Sequence, residues 1–295
     1  MFTQLDSELV KKLIIEQYPE FAHLPIQAVA NQGHDNRTFH LGEEMLVRLP
    51  SAEDYAEQPN KEQKWLPFLA KHISVPIPAP ILIGKASQHY PWNWAIYNWL
   101  EGESANTVEF TDVELAQLAI SLANFLKELQ QIDISNAPLA GLHNFHRGAH
   151  VSVYDEEARS NIKELNGIID QERATSIWQR AINTKWERAY LWVHGDFASS
   201  NILVQDQKLA AVIDFGCMAV GDPACDLVIA YTFLNKESRA IFKEHIGLDQ
   251  DTWYRARGWA LWKACFELVA IKDKSSPAAK QQLDLINEIT LEHDE

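Results

Sequence analysis

The chain has 295 residues, is 46% hydrophobic and carries a formal charge of −15. That is enough apolar residue for a buried core in one large or two modest domains; no apolar run approaches the ~20 residues of a membrane helix, and the acidity argues against a nucleic-acid-binding surface. The acidity suits steering of cationic small molecules as well as plain solubility. The three cysteines, Cys217, Cys225 and Cys265, lack metal-ligand spacing, and Met1–Asp6 lacks a basic and then apolar leader. Both features predict a protein of the reducing cytoplasm that takes no membrane partner.

Leu9, Val10, Leu13 and Ile14 fall at helical spacing over residues 5–17, with Pro19 just beyond. Short strand patterns follow at Ile26–Ala30, Thr38–Leu41 and Met45–Leu49, the last two joined by a turn at Gly42-Glu43-Glu44. A helix is predicted over Lys61–Lys71. Pro76, Pro78 and Pro80 then force an extended segment, followed by strands at Ile81–Gly84 and Trp94–Leu100. Beyond Gly102 the pattern turns helical. Thr111-Asp112-Val113-Glu114 is a capping box, opening a helix to about Gln130 whose apolar stripe is Leu115, Leu118, Ala119, Leu122, Phe125, Leu126 and Leu129. Further helical patterns lie at 155–166, 171–184, 226–234, 237–245, 251–270 and 278–291. The composition shift near residue 100 divides the chain into 1–98 and 99–295.

The most informative stretch is His194-Gly195-Asp196-Phe197-Ala198-Ser199-Ser200-Asn201, with Asp214-Phe215-Gly216 downstream. Apolar runs at Leu191–Val193, Ile202–Val204 and Leu209–Ile213 frame them. The pattern reads as strand, polar loop, strand, turn, strand, placing Asp196, Asn201 and Asp214 at one end of a small sheet. Three converging oxygen-bearing side chains are the equipment of phosphoryl transfer: one carboxylate to position a hydroxyl and two hard oxygen ligands for magnesium. An aspartate of ordinary pKa, roughly 4, cannot strip an alcohol in the ground state. Asp196 would orient the hydroxyl and accept its proton late. Gly216 would let the backbone turn sharply after Asp214.

With Gly221-Asp222-Pro223-Ala224-Cys225-Asp226-Leu227, these motifs resemble the aminoglycoside phosphotransferase family. The resemblance is strong over 191–227 and looser in the N-terminal part. It implies an α+β, two-lobed protein-kinase-like fold: a small antiparallel N-terminal sheet lobe with one main helix, which binds nucleotide, and a larger, mostly helical lobe for catalysis and substrate. It further implies Mg-dependent transfer of the γ-phosphate of ATP or GTP, with Asp196 as catalytic base and Asn201 and Asp214 as Mg2+ ligands. His194 and Asp226 would brace the catalytic loop. Arg48 stands where many relatives carry a phosphate-gripping lysine, and no lysine lies between Lys12 and Lys61; its fork would grip phosphate bidentately. Glu62 is its expected partner, with Glu57 as fallback. The segment Gln32–Arg37 has a single glycine, so backbone amides of His34–Arg37 and the Asn36 side chain would have to touch phosphate. Asn98 and Leu100 would bind the purine through main-chain atoms at the hinge.

The acceptor pocket is the least legible part. Candidates are Asp155, Glu156 and Glu157, plus Trp262 and Glu267 on the 251–270 pattern; Trp259, Trp262 and Phe266 also read as a plain core stripe. Arg147-Gly148 either contacts substrate or ends a loop. An aminoglycoside-like antibiotic is the acceptor the family suggests, with antibiotic resistance as the consequence. Choline, homoserine, a sugar or a macrolide are alternatives, since fold does not fix substrate. A nucleotide-binding pseudokinase scaffold is the rival from another class. The chain is expected as a monomer or homodimer.

Overall fold

Asp6 opens the first helix, α1 (Ser7–Gln17), its carboxylate accepting the Leu9 amide at 3.0 Å. The computed structural model describes residues 4–30 and 32–291. Met1–Thr3, part of the stretch read for a leader, lie outside them. Five antiparallel strands follow: β1 (Ile26–Ala28), β2 (Asn36–Leu41), β3 (Met45–Pro50), β4 (Pro80–Gly84) and β5 (Trp94–Asn98), ordered β1-β2-β3-β5-β4. Alternation along the strands divides their side chains between two faces. Phe39, Leu41, Val47, Leu49, Trp94 and Ile96 pack against the apolar stripe of α1. Ala95 and Tyr97 point the other way, toward helix α2 (Gln58–Leu69), and join the core of the large lobe. So α2 belongs to the small lobe in sequence but buries Trp65, Leu66 and Leu69 in the core shared with the large lobe.

Helix α2 starts three residues earlier than its pattern suggests. Pro59 sits in its first turn, where a missing N–H costs nothing. The expected start at Lys61 left Pro59 outside the helix, and the structure brings it inside.

After the two-residue strand β6 (Glu103–Ser104), the capping box forms as expected. Thr111 Oγ1 accepts the Glu114 amide at 3.3 Å and Glu114 accepts the Thr111 amide at 2.8 Å, opening α3 (Asp112–Gln130). Then come α4 (Asp155–Glu164) and α5 (Gln171–Asn183). The catalytic segment supplies β7 (Leu191–Val193), β8 (Ile202–Gln205), β9 (Lys208–Val212) and β10 (Ala219–Gly221). These do not form the single small sheet expected. β7 pairs with β10, while β8 pairs with β6 and β9. The strands β6 and β10 were missed because each is too short to show alternation. The helix expected at 226–234 is a 3-10 stretch, Pro223–Val228, leading into the four-residue α6 (Ile229–Thr232). Finally α7 (Lys236–Ile246), α8 (Gln250–Ala270) and α9 (Pro277–Leu291) complete the large lobe. Within α8, Arg255 is fully buried and its Nε bonds Asp222 Oδ2 at 2.5 Å, pinning the helix to the turn after β10. Among the described residues no helix is long and apolar enough to cross a membrane.

Candidate active site

The floor of the cleft is the loop between β7 and β8. Gly195 has φ +83, and a Cβ there would lie 2.3 Å from the Cys217 carbonyl oxygen, so only glycine fits. Asp226 is fully buried, and its carboxylate accepts the amides of His194 at 2.7 Å and Gly195 at 2.8 Å. Burial pushes its pKa up, while His194 and those two amides pull it back. His194 is equally buried, its Nε2 set 3.0 Å from the Ile213 carbonyl and its Nδ1 3.2 Å from the Asp196 amide. Those partners set Nδ1 as acceptor and Nε2 as donor. The ring is spent on the loop and faces no cavity. The N-cap of the following turn is Asp222, which accepts the Ala224 amide at 3.1 Å.

Asp196 and Asn201 leave this frame side by side. Asn201 Nδ2 donates to the Asp196 carbonyl at 2.9 Å and to its Oδ2 at 3.1 Å. That orients Asn201 Oδ1 outward, without a donor among the described residues. The Ile213 amide donates to the Asn201 carbonyl at 2.9 Å, locking the turn to β9. Asp214, the next residue, has φ +66, a left-handed conformation uncommon outside glycine. Gly216 is thus not the residue that bends the chain. A Cβ on it would meet the Gln58 side-chain amide at 2.6 Å, so its role is to admit α2.

The roof comes from the small lobe. Arg48 on β3 reaches Glu62 Oε1 at 3.3 Å and Asp214 Oδ1 at 2.5 Å. Glu62 is 2% exposed and also accepts the Tyr97 hydroxyl. Burial opposes the Arg48 charge, but Asp214 and Glu62 more than offset it and hold the guanidinium protonated. Burial pushes Asp214 up, and Arg48 outweighs that to leave its carboxyl below the usual range. Glu57 instead bonds Asn60 at 3.0 Å, which removes it as partner. Lys61 donates to the Gly216 carbonyl at 2.6 Å; the sequence reading missed this link, although its place one residue before Glu62 on the same helix was legible.

Asn36 corrects an expectation. Its side chain is buried and its Nδ2 donates to Gln58 Oε1 at 2.9 Å. Gln58 in turn donates to Asp35 Oδ2 at 3.1 Å. Asn36 therefore ties the loop to α2 and does not project from it. At the hinge, the Asn98 amide is committed to the Ala79 carbonyl at 3.3 Å, so its N–H is not free for a ligand. The Leu100 amide has no hydrogen-bond partner among the described residues.

A cavity of about 450 Å³ opens beside Asp196, lined by that loop, by α8 and by α9. Of the five acceptor candidates only Glu267 lines it, with its carboxylate accepting from Gln282 at 2.7 Å. Asp155 is held by Arg159 at 2.7 Å and Trp178 at 2.6 Å. Glu157 accepts the Trp262 indole N–H at 2.6 Å, and Glu156 is exposed on α4. An acidic run at a helix start pointed to a pocket, but Asp155 and Glu157 serve neighbouring side chains. Trp259 and Trp262 are buried while Phe266 is 47% exposed, so the expected core stripe covers only the first two. Arg147 and Lys263 line the cavity instead.

The profile described as "APH: Phosphotransferase enzyme family" matches residues 27–259. The chain belongs to that family. No curated protein matches it. Similar solved structures include the GDP and kanamycin complex of APH(2")-IIia, at 20% identity and TM-score 0.73, covering 95% of this chain and 97% of that one. The GDP complex of aminoglycoside 2'-phosphotransferase-IIIa is 18% identical with TM-score 0.74, covering 97% and 98%. Macrolide 2'-phosphotransferase MphH from Brachybacterium faecium is 18% identical with TM-score 0.59, covering 98% and 100%. The two-lobed, kinase-like fold is shared with all three, and the chain is a phosphotransferase.

Proposed function

We propose that this phosphotransferase moves the γ-phosphate of ATP or GTP to a hydroxyl of a small molecule, with Mg2+ held at Asn201 and Asp214. The observation that carries the reading is the convergence of Asp196, Asn201, Asp214 and Arg48 between two lobes, with Asp196 opening onto a cavity. Asn201 Oδ1 and the Asp214 carboxylate are hard oxygen donors, one without a protein donor and the other 32% exposed, and they fit magnesium. When bound, the ion would supply positive charge to offset the negative charge of the nucleotide phosphates.

The other steps belong to the chain. The nucleotide base would sit at the hinge, with the Leu100 amide as donor. Arg48, braced by Glu62, presents its remaining N–H groups to phosphate oxygens. Asp196 aims the acceptor hydroxyl in line with the γ-phosphorus. The bond from that phosphorus to the bridging oxygen breaks as the acceptor oxygen bonds to it, and the hydroxyl proton passes to Asp196 and then to water.

Neighbouring structures hold GDP, and one also holds kanamycin. This supports a nucleotide donor and makes such antibiotics the first acceptors to assay. The test is a thermal shift with Mg-ATP and Mg-GTP, followed by a transfer assay on hydroxylated acceptors. A magnesium-dependent rise with nucleotide, and a second rise with an acceptor, is expected. No response to either nucleotide would overturn the reading in favour of a pseudokinase or a degenerate site.

A further inference from the structure

Arg257 is buried against the Ile289 carbonyl at 2.9 Å, and three other arginines are matched by acid. Arg48 has Glu62 and Asp214, Arg255 has Asp222, and Arg239 has Glu288. Arg147 is half-buried and lines the cavity beside Asp196, yet among the described residues no carboxylate pairs with it. Its guanidinium carbon lies 5.2 Å from the Trp259 ring and 5.0 Å from the Trp262 ring. Two indole faces hold the cation in place and supply no hydrogen-bond acceptor for its five N–H groups. Its backbone is equally fixed. The buried Asn144 side chain donates to the Arg147 carbonyl at 2.7 Å and to the Cys217 carbonyl at 3.0 Å, tying this loop to the turn after Asp214.

Lys263 is the second cation of the cavity, its Nζ 3.9 Å from Asp196 Oδ1. The same wall also carries acids: Glu288, which pairs with Arg239, Glu267, which accepts from the Gln282 amide, and Asp284. Arg147 and Lys263 are thus the two cations of a cavity whose lining also holds Asp196 and three further carboxylates. A guanidinium with no protein carboxylate paired to it matches a ligand carboxylate bidentately.

We infer that the acceptor is a hydroxylated carboxylate, whose carboxylate group is bound by Arg147 with Lys263 beside it while Asp196 addresses its hydroxyl. The inference rests on the kinase reading above and narrows its acceptor class.

The test uses the full chain with magnesium and whichever nucleotide it binds. Glycerate, malate, gluconate and threonine are each compared with the corresponding neutral amide, alongside kanamycin. Binding is read by intrinsic tryptophan fluorescence and transfer by nucleoside diphosphate release. The expected result is binding and transfer for at least one acid, with kcat/KM about 100-fold lower for its amide. Arg147→Gln should raise KM for that acid about tenfold or more with kcat little changed, and Arg147→Lys should recover part of the loss.

Amides or kanamycin used as well as the acids would overturn the inference. So would an acid panel that neither binds nor reacts. A fall in kcat of Arg147→Gln on charged and neutral acceptors alike would overturn it too, by placing Arg147 on the transferred phosphate. Loss of nucleotide binding by the unmodified chain is a different failure, that of the kinase reading itself. The amide comparison needs no variant, so a folding defect in Arg147→Gln leaves the question decidable.

Discussion

The floor and roof of the cleft are built by different means. On the floor, side chains hold backbone: Asp226 takes two amides, His194 bridges an amide and a carbonyl, and Asn201 clamps the Asp196 carbonyl. On the roof, side chains hold side chains: Asn36 to Gln58 to Asp35, and Glu62 to Arg48 to Asp214. A backbone partner cannot be exchanged, and a loop wound around it needs particular residues at fixed spacing. Side-chain partners can be swapped in pairs, so the same geometry is reached by many sequences. The rigid floor is suited to aiming a hydroxyl, and the side-chain roof to adapting as nucleotide enters.

The largest effect should come from the one floor residue that faces the reaction. Asp196→Ala is expected to lower phosphoryl transfer about 1,000-fold while nucleotide binding changes less than about twofold, because no floor contact to backbone depends on its carboxylate. Paired kinetics and calorimetric titration check this; transfer at the unmodified rate would remove Asp196 from the reaction.

Two glycines set floor directly against roof. Gly195→Ala places a methyl 2.3 Å from a backbone oxygen at φ +83, with nothing able to move. It should cost about 4 kcal/mol or prevent folding. Gly216→Ala meets only the Gln58 side-chain amide, which can swing aside, and should cost about 1 kcal/mol. Urea unfolding of both proteins tests the contrast, and equal costs would show that the roof is as rigid as the floor.

The same contrast explains what the sequence disclosed. Asp196, Asn201 and Asp214 are recognisable because the winding that brings them together runs within residues 191–227. The strands and helices with clear periodicity, α1, α3 and β2–β3, fell close to their expected bounds. Asn36 was misread since nothing local says that a loop asparagine turns inward to a glutamine 22 residues on. The acidic run Asp155–Glu157 was misread since charge alone does not reveal a tryptophan N–H 105 residues away. Arg147 reads in the sequence as either a substrate contact or a loop end, but nothing there puts Lys263 beside it, because only the packing of α8 against the loop brings the two into one cavity.

Removing Arg48 would sharpen the account of the roof. Arg48→Met leaves Glu62 buried with a negative charge and only the Tyr97 hydroxyl for company. A loss of about 3 kcal/mol is expected, and Glu62→Gln in the same chain should recover part of it. If the single variant is as stable as the parent, the ion pair is not what holds α2 to β3.

The smallest expected effect lies at Asp35, the roof carboxylate closest in character to a floor residue. Burial raises its pKa first of all, and the negative charges of Asp214 and Asp196 raise it further, against hydrogen bonds from Gln58 and His34. A carboxyl with a raised folded-state pKa binds its proton more tightly folded than unfolded. Its contribution to stability is full below the ordinary value near 4 and is lost as pH rises through the folded-state value. Asp35→Asn should therefore flatten that fall in metal-free buffer, read as thermal midpoint against pH. The same charge faces the place where phosphates would enter, so the asparagine variant should bind nucleotide about threefold more tightly, the size of a partly screened like-charge repulsion. Weaker binding would instead make Asp35 a participant in holding the nucleotide and its ion. The roof would then carry a third oxygen ligand, fixed by Gln58, and would be less adaptable than its side-chain contacts imply.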